Sequence, residues 1–528
     1  MGRALTGRLT LQQEPLVFWS MGAVLIIAAL LPLLWPATEL LIQPGGPDQV
    51  LQTLGAGRQW VLLGRSVALA AVVTLMASLL GTTLGLLLAR TDVPGRRVIL
   101  LLHAFPMFLP PFLLALGWFY LFGRQGLLGG EVSARLLFSE FGLVAVLALG
   151  FAPVVTALVA LGLWGIDTSM EEAARTVAGP WRVATRILVP AVWPNIALGA
   201  IVVFALTLSE LGVPMFLRVD VYPAAVFARL GGIDYAPGEA LALALPLIPI
   251  ALLLLAAERR LSGRRSFVVS GLRGGGNSSL PLGRWRWLAS AGCWLVVALS
   301  IAPIASLALR AQRGGGFVAV PDWIGGSLGN SLLAGSLAAT GIVVTGLVVG
   351  HGVARRRAGA ALLDAFTVLA FVTPAVLLGI GLIALWNRPA TAFVYGGIGM
   401  IVVGYIGRYA VVGLRTLTIV IAQSSPHLEE SAAAAGAGYL RRLTRIVAPL
   451  HWRGVLAAWL LALVFCLRDF ETAVLFYPPG GEPLTVRIFT LEANGPEAVV
   501  AALAVVQTAV TAGALAIGGV LLWRRSRP

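Results

Sequence analysis

Leu428 to Pro449 reads LEESAAAAGAGYLRRLTRIVAP, and Met170 to Pro190 reads MEEAARTVAGPWRVATRILVP. Each stretch is a polar island between long apolar runs. In both, a Glu-Glu pair is followed by small residues, a glycine break, an arginine-bearing segment and Ile-x-x-Pro. Ser169 with Glu172 fits a capping box, and Ser425 before Pro426 fits an N-cap with a first-turn proline. Glu171, Glu172, Glu429 and Glu430 then fall in a first helical turn, where the positive end of the helix dipole favours carboxylates. The small residues that follow, among them Ala173, Ala174 and Ala432, leave a low surface. Gly179 in one copy, and Gly436 with Gly438 in the other, end the helix. A second short helix stops before Pro190 or Pro449. Each island thus reads as helix, glycine turn, helix: a compact knob able to dock in a groove. A membrane-surface loop with helical propensity would explain one copy alone, but not the shared order of two.

The chain around the islands is 58% hydrophobic and 12% charged over 528 residues, too apolar for an ordinary water-soluble protein. It reads as an all-α polytopic membrane protein. All 38 basic residues are arginine. Without a lysine there is no Walker A loop and no Schiff-base chemistry, so any ATP and magnesium belong to another chain, and no cofactor is expected in this one. The four histidines are scattered and form no His-Glu-x-x-His. Cys293 and Cys466 lie in separate apolar runs, where packing is the simplest use. No catalytic set is recognisable, and the chain is expected not to be an enzyme.

Twelve apolar runs of membrane-crossing length follow from the pattern. They are Leu16 to Trp35, Val67 to Ala89, Val98 to Phe122, Gly142 to Trp164, Ile196 to Leu217 and Ala240 to Ala257, then Trp287 to Leu309, Leu332 to Val353, Leu362 to Trp386, Phe393 to Leu414, Val455 to Phe476 and Val499 to Trp523. The first is read as a retained span rather than a cleaved signal peptide. A first half over 1–260 and a second over 287–528 are joined by an Arg/Gly/Ser-rich linker at 261–286. Each half has six spans with its island, near 168–190 or 425–449, between the fourth and the fifth. With a cytoplasmic N-terminus, 26 of the 38 arginines fall in cytoplasmic segments, which obeys the positive-inside rule. Both termini and both islands are then cytoplasmic, and the halves form a parallel repeat. The net charge of +15 is spread over short loops and forms no nucleic-acid-binding face.

The islands resemble the Glu-Ala-Ala loop of permease subunits of binding-protein-dependent ABC importers. Glu172-Ala173-Ala174 matches that pattern outright, with Gly179 one residue away from the expected glycine. Glu430-Ser431-Ala432 carries a serine for the first alanine, with Gly436 well placed. Glu172 to Pro190 is one step shorter than Glu430 to Pro449, so the first copy lacks a residue. The resemblance covers nearly the whole chain, with Leu16 to Trp35 as a candidate extra span outside the common core. It implies a type I importer permease with two fused halves in a bacterial inner membrane, a separate ABC ATPase dimer on the cytoplasmic side, an extracytoplasmic substrate-binding protein and surrounding lipid. The contact residues it implies are Glu171, Glu172, Ala173, Ala174, Gly179, Glu429, Glu430, Ala432, Gly436 and Gly438.

Ionisable residues inside spans are costly and face a cavity or a partner. Glu210 and Asp469 lie at the same depth of the fifth and eleventh runs, and Arg468 and Glu471, three apart, can share a helix face and pair. Three readings stay open: Glu210, Arg468, Asp469 and Glu471 line a translocation pathway, they form an internal ion-pair network, or the carboxylates sit at helix ends wetted by interface water. Arg408 reads as paired structure. Pro110, Pro111 and Pro374 can kink or unwind the third span of each half beside a pathway, or kink it for packing alone. The segment Arg468-Asp469, with Tyr477 to Gly481 and Val486-Arg487-Ile488, resembles fused permeases of the iron(III) group, and carboxylates suit a hard cation. Fused permeases for thiamine or aminoethylphosphonate share the architecture. An ion-coupled secondary transporter of twelve spans explains the repeat but not the islands.

Overall fold

The computed structural model describes residues 2–42, 46–231, 237–262 and 280–524; most of the expected linker lies outside them. Among the described residues the chain is helical, as it must be where lipid offers no partner to backbone groups, and the one β feature is a bridge between Thr91 and Leu280. Within the described residues, eight helices are long and apolar enough to cross a membrane, and the count reaches twelve when each of four bent pairs is taken as one span.

The bends repeat between the halves. Arg96–Phe108 and Pro111–Phe122 meet at 106°, and Ala360–Val372 and Ala375–Trp386 at 110°. Pro110 and Pro374 cap the second piece of each pair in nearly the same conformation, φ −56° and ψ 127° against φ −53° and ψ 134°. Proline offers no amide to continue the ladder and drives the residue before it towards extended backbone. The runs Val98 to Phe122 and Leu362 to Trp386 are therefore sharply broken rather than gently kinked. A second set of bends, 63° and 86°, joins Pro180–Ala191 to Trp193–Ser209 and Tyr439–Leu450 to Trp452–Arg468.

The first helix of each half crosses over to the other. Gln13–Thr38 buries Phe18 and Leu25 among Val343, Val349, Leu363 and Leu414 of the second half. Trp285–Arg313 buries Cys293 and Val297 against Leu84, Leu88 and Ile99 of the first. The contacts match in detail. A Cβ on Gly381 would lie 1.6 Å from the Pro32 carbonyl oxygen, and one on Gly117 would lie 2.3 Å from that of Pro303. Leu16 to Trp35 is thus no added span outside the core; it is the counterpart of the seventh span, exchanged between halves.

Within each half the second and fourth spans pack at very short range. Gly81 and Gly85 of Gly57–Arg90 lie against Ala152, Val155 and Val159 of Glu140–Trp164, and Gly346 and Gly350 of Ser327–Ala354 lie against Gly413, Leu414 and Thr418 of Ile398–Ala422. Both pairs are G-x-x-x-G, whose missing side chains let two backbones approach where apolar burial alone cannot drive association.

Candidate functional site: two polar islands and a buried charge cluster

Each island folds as two short helices, Thr168–Arg175 with Pro180–Val183, and His427–Ala434 with Tyr439–Arg442. Both second helices run on through a π turn, Ala184–Leu188 or Leu443–Val447. The first cap differs from the sequence reading. Asp167, not a Ser169–Glu172 box, caps Thr168–Arg175 by accepting the Ser169 amide at 3.0 Å, since an aspartate two residues upstream reaches that amide directly. In the second island the Ser425 hydroxyl accepts the His427 amide at 3.3 Å. The glycines also divide their work differently. Gly436, at φ +86°, closes the helix with Ala437 N–H donating to Ala432 O and Gly436 N–H to Ala433 O, the double bond of a Schellman turn. Gly438 and Gly179 are both extended and open the next helix. The first island closes through Ala178 N–H to Ala174 O, with no left-handed residue. Both turns hold four residues, 176–179 and 435–438, so the residue the first island lacks falls earlier, between its glutamates and the end of their helix.

The paired glutamates face opposite ways. Glu171 and Glu429 are buried, whereas Glu172 and Glu430 are exposed. Glu171 meets Arg90 Nη1 at 3.3 Å, and Arg90 also donates to the carbonyls of Leu163 and Ile166. Glu429 accepts from Arg355 Nε and Nη2 at 3.0 and 2.6 Å and shares a 2.6 Å hydrogen bond with His351 Nε2. Arg355 in turn donates to the Ser424 carbonyl at 3.1 Å. Burial pushes the Glu429 carboxyl up, but its bonds to His351 and Arg355 outweigh burial and hold it down at about 2. Arg90 ends the second span and Arg355 caps the eighth. Sequence reading missed Arg90, His351 and Arg355, although Gly81-Gly85-Arg90 and Gly346-Gly350-Arg355 share one spacing. The Glu430 carboxylate lies 3.0 Å from His427 Nδ1, with both side chains open to solvent. Val177 and Trp181 on one island, and Leu428 and Leu440 on the other, add exposed apolar surface.

Trp193–Ser209 and Trp452–Arg468 leave the islands as helices of 17 residues each, about 25 Å long, and both end at a carboxylate. Glu210 Oε1 accepts the Val213 amide at 3.1 Å, and Asp469 Oδ1 accepts those of Thr472 and Ala473 at 2.8 and 3.3 Å. Such a side chain competes with the helix for backbone amides and starts the next turn instead. The fifth and eleventh spans therefore do not run on through these residues. The ends cross between halves: Ser209 Oγ accepts the Ala375 amide at 2.8 Å, and Arg468 donates to the Met107 carbonyl. Arg468 and Glu471 no longer share a helix, and the pairing expected between them is replaced. Glu471 lies 3.7 Å from Arg408 Nη1, which also meets Asp469 at 3.3 Å and Thr472 at 2.9 Å. Tyr409 donates to Asp469 at 2.5 Å. Glu210, Arg408, Arg468 and Glu471, with four apolar or aromatic neighbours, line a cavity of about 10 Å³, room for about one water. Among the described residues no group of three His, Cys, Asp or Glu side chains could hold a metal ion.

An all-helical chain with membrane-length helices, an internal repeat, exchanged first helices and paired polar islands is a two-half polytopic membrane protein. Residues 81–267 match the family described as binding-protein-dependent transport system inner membrane component. The chain is 24% identical over 462 residues to the ferric transport system permease protein FbpB of Actinobacillus pleuropneumoniae, an alignment covering 81% of this chain and 66% of that one. It is 30% identical over 159 residues to the molybdenum transport system permease protein ModB of Escherichia coli, covering 29% and 69%. It is 29% identical over 208 residues to the molybdate/tungstate transport system permease protein WtpB of Thermococcus kodakarensis, covering 39% and 78%. The chain belongs to the family of binding-protein-dependent transport system inner membrane components. It spans about two thirds of the length of the ferric relative, 66%.

Proposed function

We propose that this chain is the two-half permease of an ATP-driven importer, that its islands receive a separate ATPase pair on the cytoplasmic side, and that its solute is iron(III), delivered by an extracytoplasmic binding protein. The observation carrying the reading is the outward turn of Glu172 and Glu430 on islands that also expose Val177, Trp181, Leu428 and Leu440. A surface that combines an exposed charge with exposed apolar side chains suits a protein partner. Closure of the ATPases would move the islands, and the helices leaving them end at the central cluster, so displacement at the islands reaches the place where the halves cross. There Arg408 pairs with both Asp469 and Glu471, and passage of a cation requires those pairs to part. The iron assignment rests on the ferric relative and on the carboxylates at the centre; molybdate and 2-aminoethylphosphonate are the competing solutes.

The test is a reconstituted assembly with its ATPase and binding protein. Replacing Glu172 and Glu430 together by Ala should lower ATPase retention or uptake per ATP at least about tenfold, on the scale of two lost charge-assisted contacts. Wild-type retention with normal coupled uptake would reject the reading. Radiolabelled iron(III), molybdate and 2-aminoethylphosphonate, offered separately, decide the solute. Uptake by the chain alone along an ion gradient would favour a secondary transporter.

A further inference from the structure

We propose that Glu171 and Glu429, gripped by Arg90 and Arg355, are positioning residues that make each island move as one body with the second and fourth spans of its own half. The inference rests on the coupling reading above and extends it to residues that face away from any ATPase. An island helix of eight residues has little stability of its own. Pushed from outside without an anchor, it would slide or fray, and the displacement would be lost in the loop. The inward carboxylate supplies the anchor. In the first half Arg90 ties three elements at one guanidinium: the end of the second span, to which it belongs, the carbonyls of Leu163 and Ile166 at the end of the fourth, and Glu171 on the island. In the second half Arg355 ties the end of the eighth span, the Ser424 carbonyl just past the tenth, and Glu429. A guanidinium at a helix C-terminus is well placed for this, since it meets free carbonyls and the negative end of the dipole while its remaining donors reach a carboxylate. Five residues upstream, Gly85 or Gly350 brings the same two spans into backbone contact, so a push on the island enters a stiff pair of helices.

The same tie is made twice with different supporting groups. His351 and Tyr439 join it in the second half, with Nε2 on Glu429 and Nδ1 3.4 Å from the tyrosine hydroxyl. The shared elements are the arginine at the span end and the first glutamate of the pair.

The tie is tested on the full chain in lipid nanodiscs by hydrogen–deuterium exchange. E171Q should speed exchange across 168–175, and E429Q or R355Q across 427–434, by at least about tenfold, the order expected for losing a charge-assisted contact. E172Q and E430Q should leave these segments at wild-type rates. In the assembly with its ATPase, E171Q with E429Q should retain the ATPase yet transport less solute per ATP hydrolysed. R355Q with E429Q should loosen the island by less than the sum of the two single changes, because both break the same Arg355–Glu429 pair while each also touches a separate contact, Arg355 to Ser424 and Glu429 to His351. Wild-type exchange in E171Q and E429Q, or loosened islands with unchanged solute per ATP, would overturn the positioning role. Full ATPase retention by the Glu172 and Glu430 alanine variant would instead strike the coupling reading, leaving the exchange result to stand by itself.

Discussion

Glu171 and Glu172 are neighbours in sequence and opposites in surroundings, as are Glu429 and Glu430. The sequence makes both pairs visible and assigns them to one first turn, but it cannot say which member turns inward, because that depends on an arginine supplied by another span. Glu429 gives this a measurable signature. Its carboxyl is held at about 2, below the ordinary 4.5, by His351 and Arg355 against the opposing effect of burial. A group depressed on folding adds stability that is fully present above the unfolded value and is lost as pH falls through the folded one. The melting-temperature gap between the wild type and E429Q should therefore hold steady from about pH 7 to 5 and shrink as pH drops from about 4.5 towards 2; a gap that closes above pH 5 would assign the stabilisation to another group. Arg408 gives a second test. R408M leaves Asp469 and Glu471 buried without their cation, a change that costs about 3–5 kcal/mol, and D469N in the same chain should recover part of it. Thermal unfolding in detergent measures both. A loss under about 1 kcal/mol would mean water already screens the cluster.

Helices of membrane length were legible from apolar runs, but their breaks were less so. Pro110 and Pro374 announce a break without its angle, because proline removes a bond while neighbouring helices decide how far the chain then turns. Glu210 and Asp469 read as charges within spans, and that they end the helices follows from side chains taking backbone amides, which hydropathy does not register. The G-x-x-x-G pairs were written plainly at 81–85 and 346–350, yet spacing alone does not name the helix they meet. Their contribution can be separated from general glycine effects within one helix. A Cβ on Gly81 would sit 2.6 Å from Val155 Cβ, while one on Gly64 meets nothing within 4 Å. G81A and G346A should each destabilise by about 1–3 kcal/mol through forced separation of the spans. G64A, on an exposed helical face, should be neutral or gain up to about 1 kcal/mol from helix propensity. Equal effects at all three positions would show that the short approach contributes nothing. Detergent melting curves of the three variants provide the comparison.

At the scale of the whole molecule, the exchange of first helices decides what holds the halves together. Repeat order and arginine placement point to two similar halves, but a linear pattern of spans carries no record of which half a helix leans on. Gln13–Thr38 packs into the second half and Trp285–Arg313 into the first. Glu14 adds to the grip by pairing with Arg357 at 2.9 Å and Arg442 at 3.2 Å, and the Leu282 amide donates to Asp92 at 2.9 Å on the opposite flank. These contacts are made by the folded halves and do not need a continuous chain between them. Residues 1–270 and 271–528, produced as separate polypeptides in one cell, should therefore co-purify as a one-to-one complex that melts within a few degrees of the intact chain, a shift matching a loss of about 1 kcal/mol. Deleting the first 45 residues from the former piece should abolish that complex, because Gly381 and the groove lined by Val343, Val349 and Leu363 lose the helix that fills them. Persistence of a stable complex after the deletion would show that the crossing at Ser209, Ala375, Met107 and Arg468 suffices. Failure of the undeleted pieces to associate would mean that covalent tethering, rather than exchanged helices, keeps the halves in register.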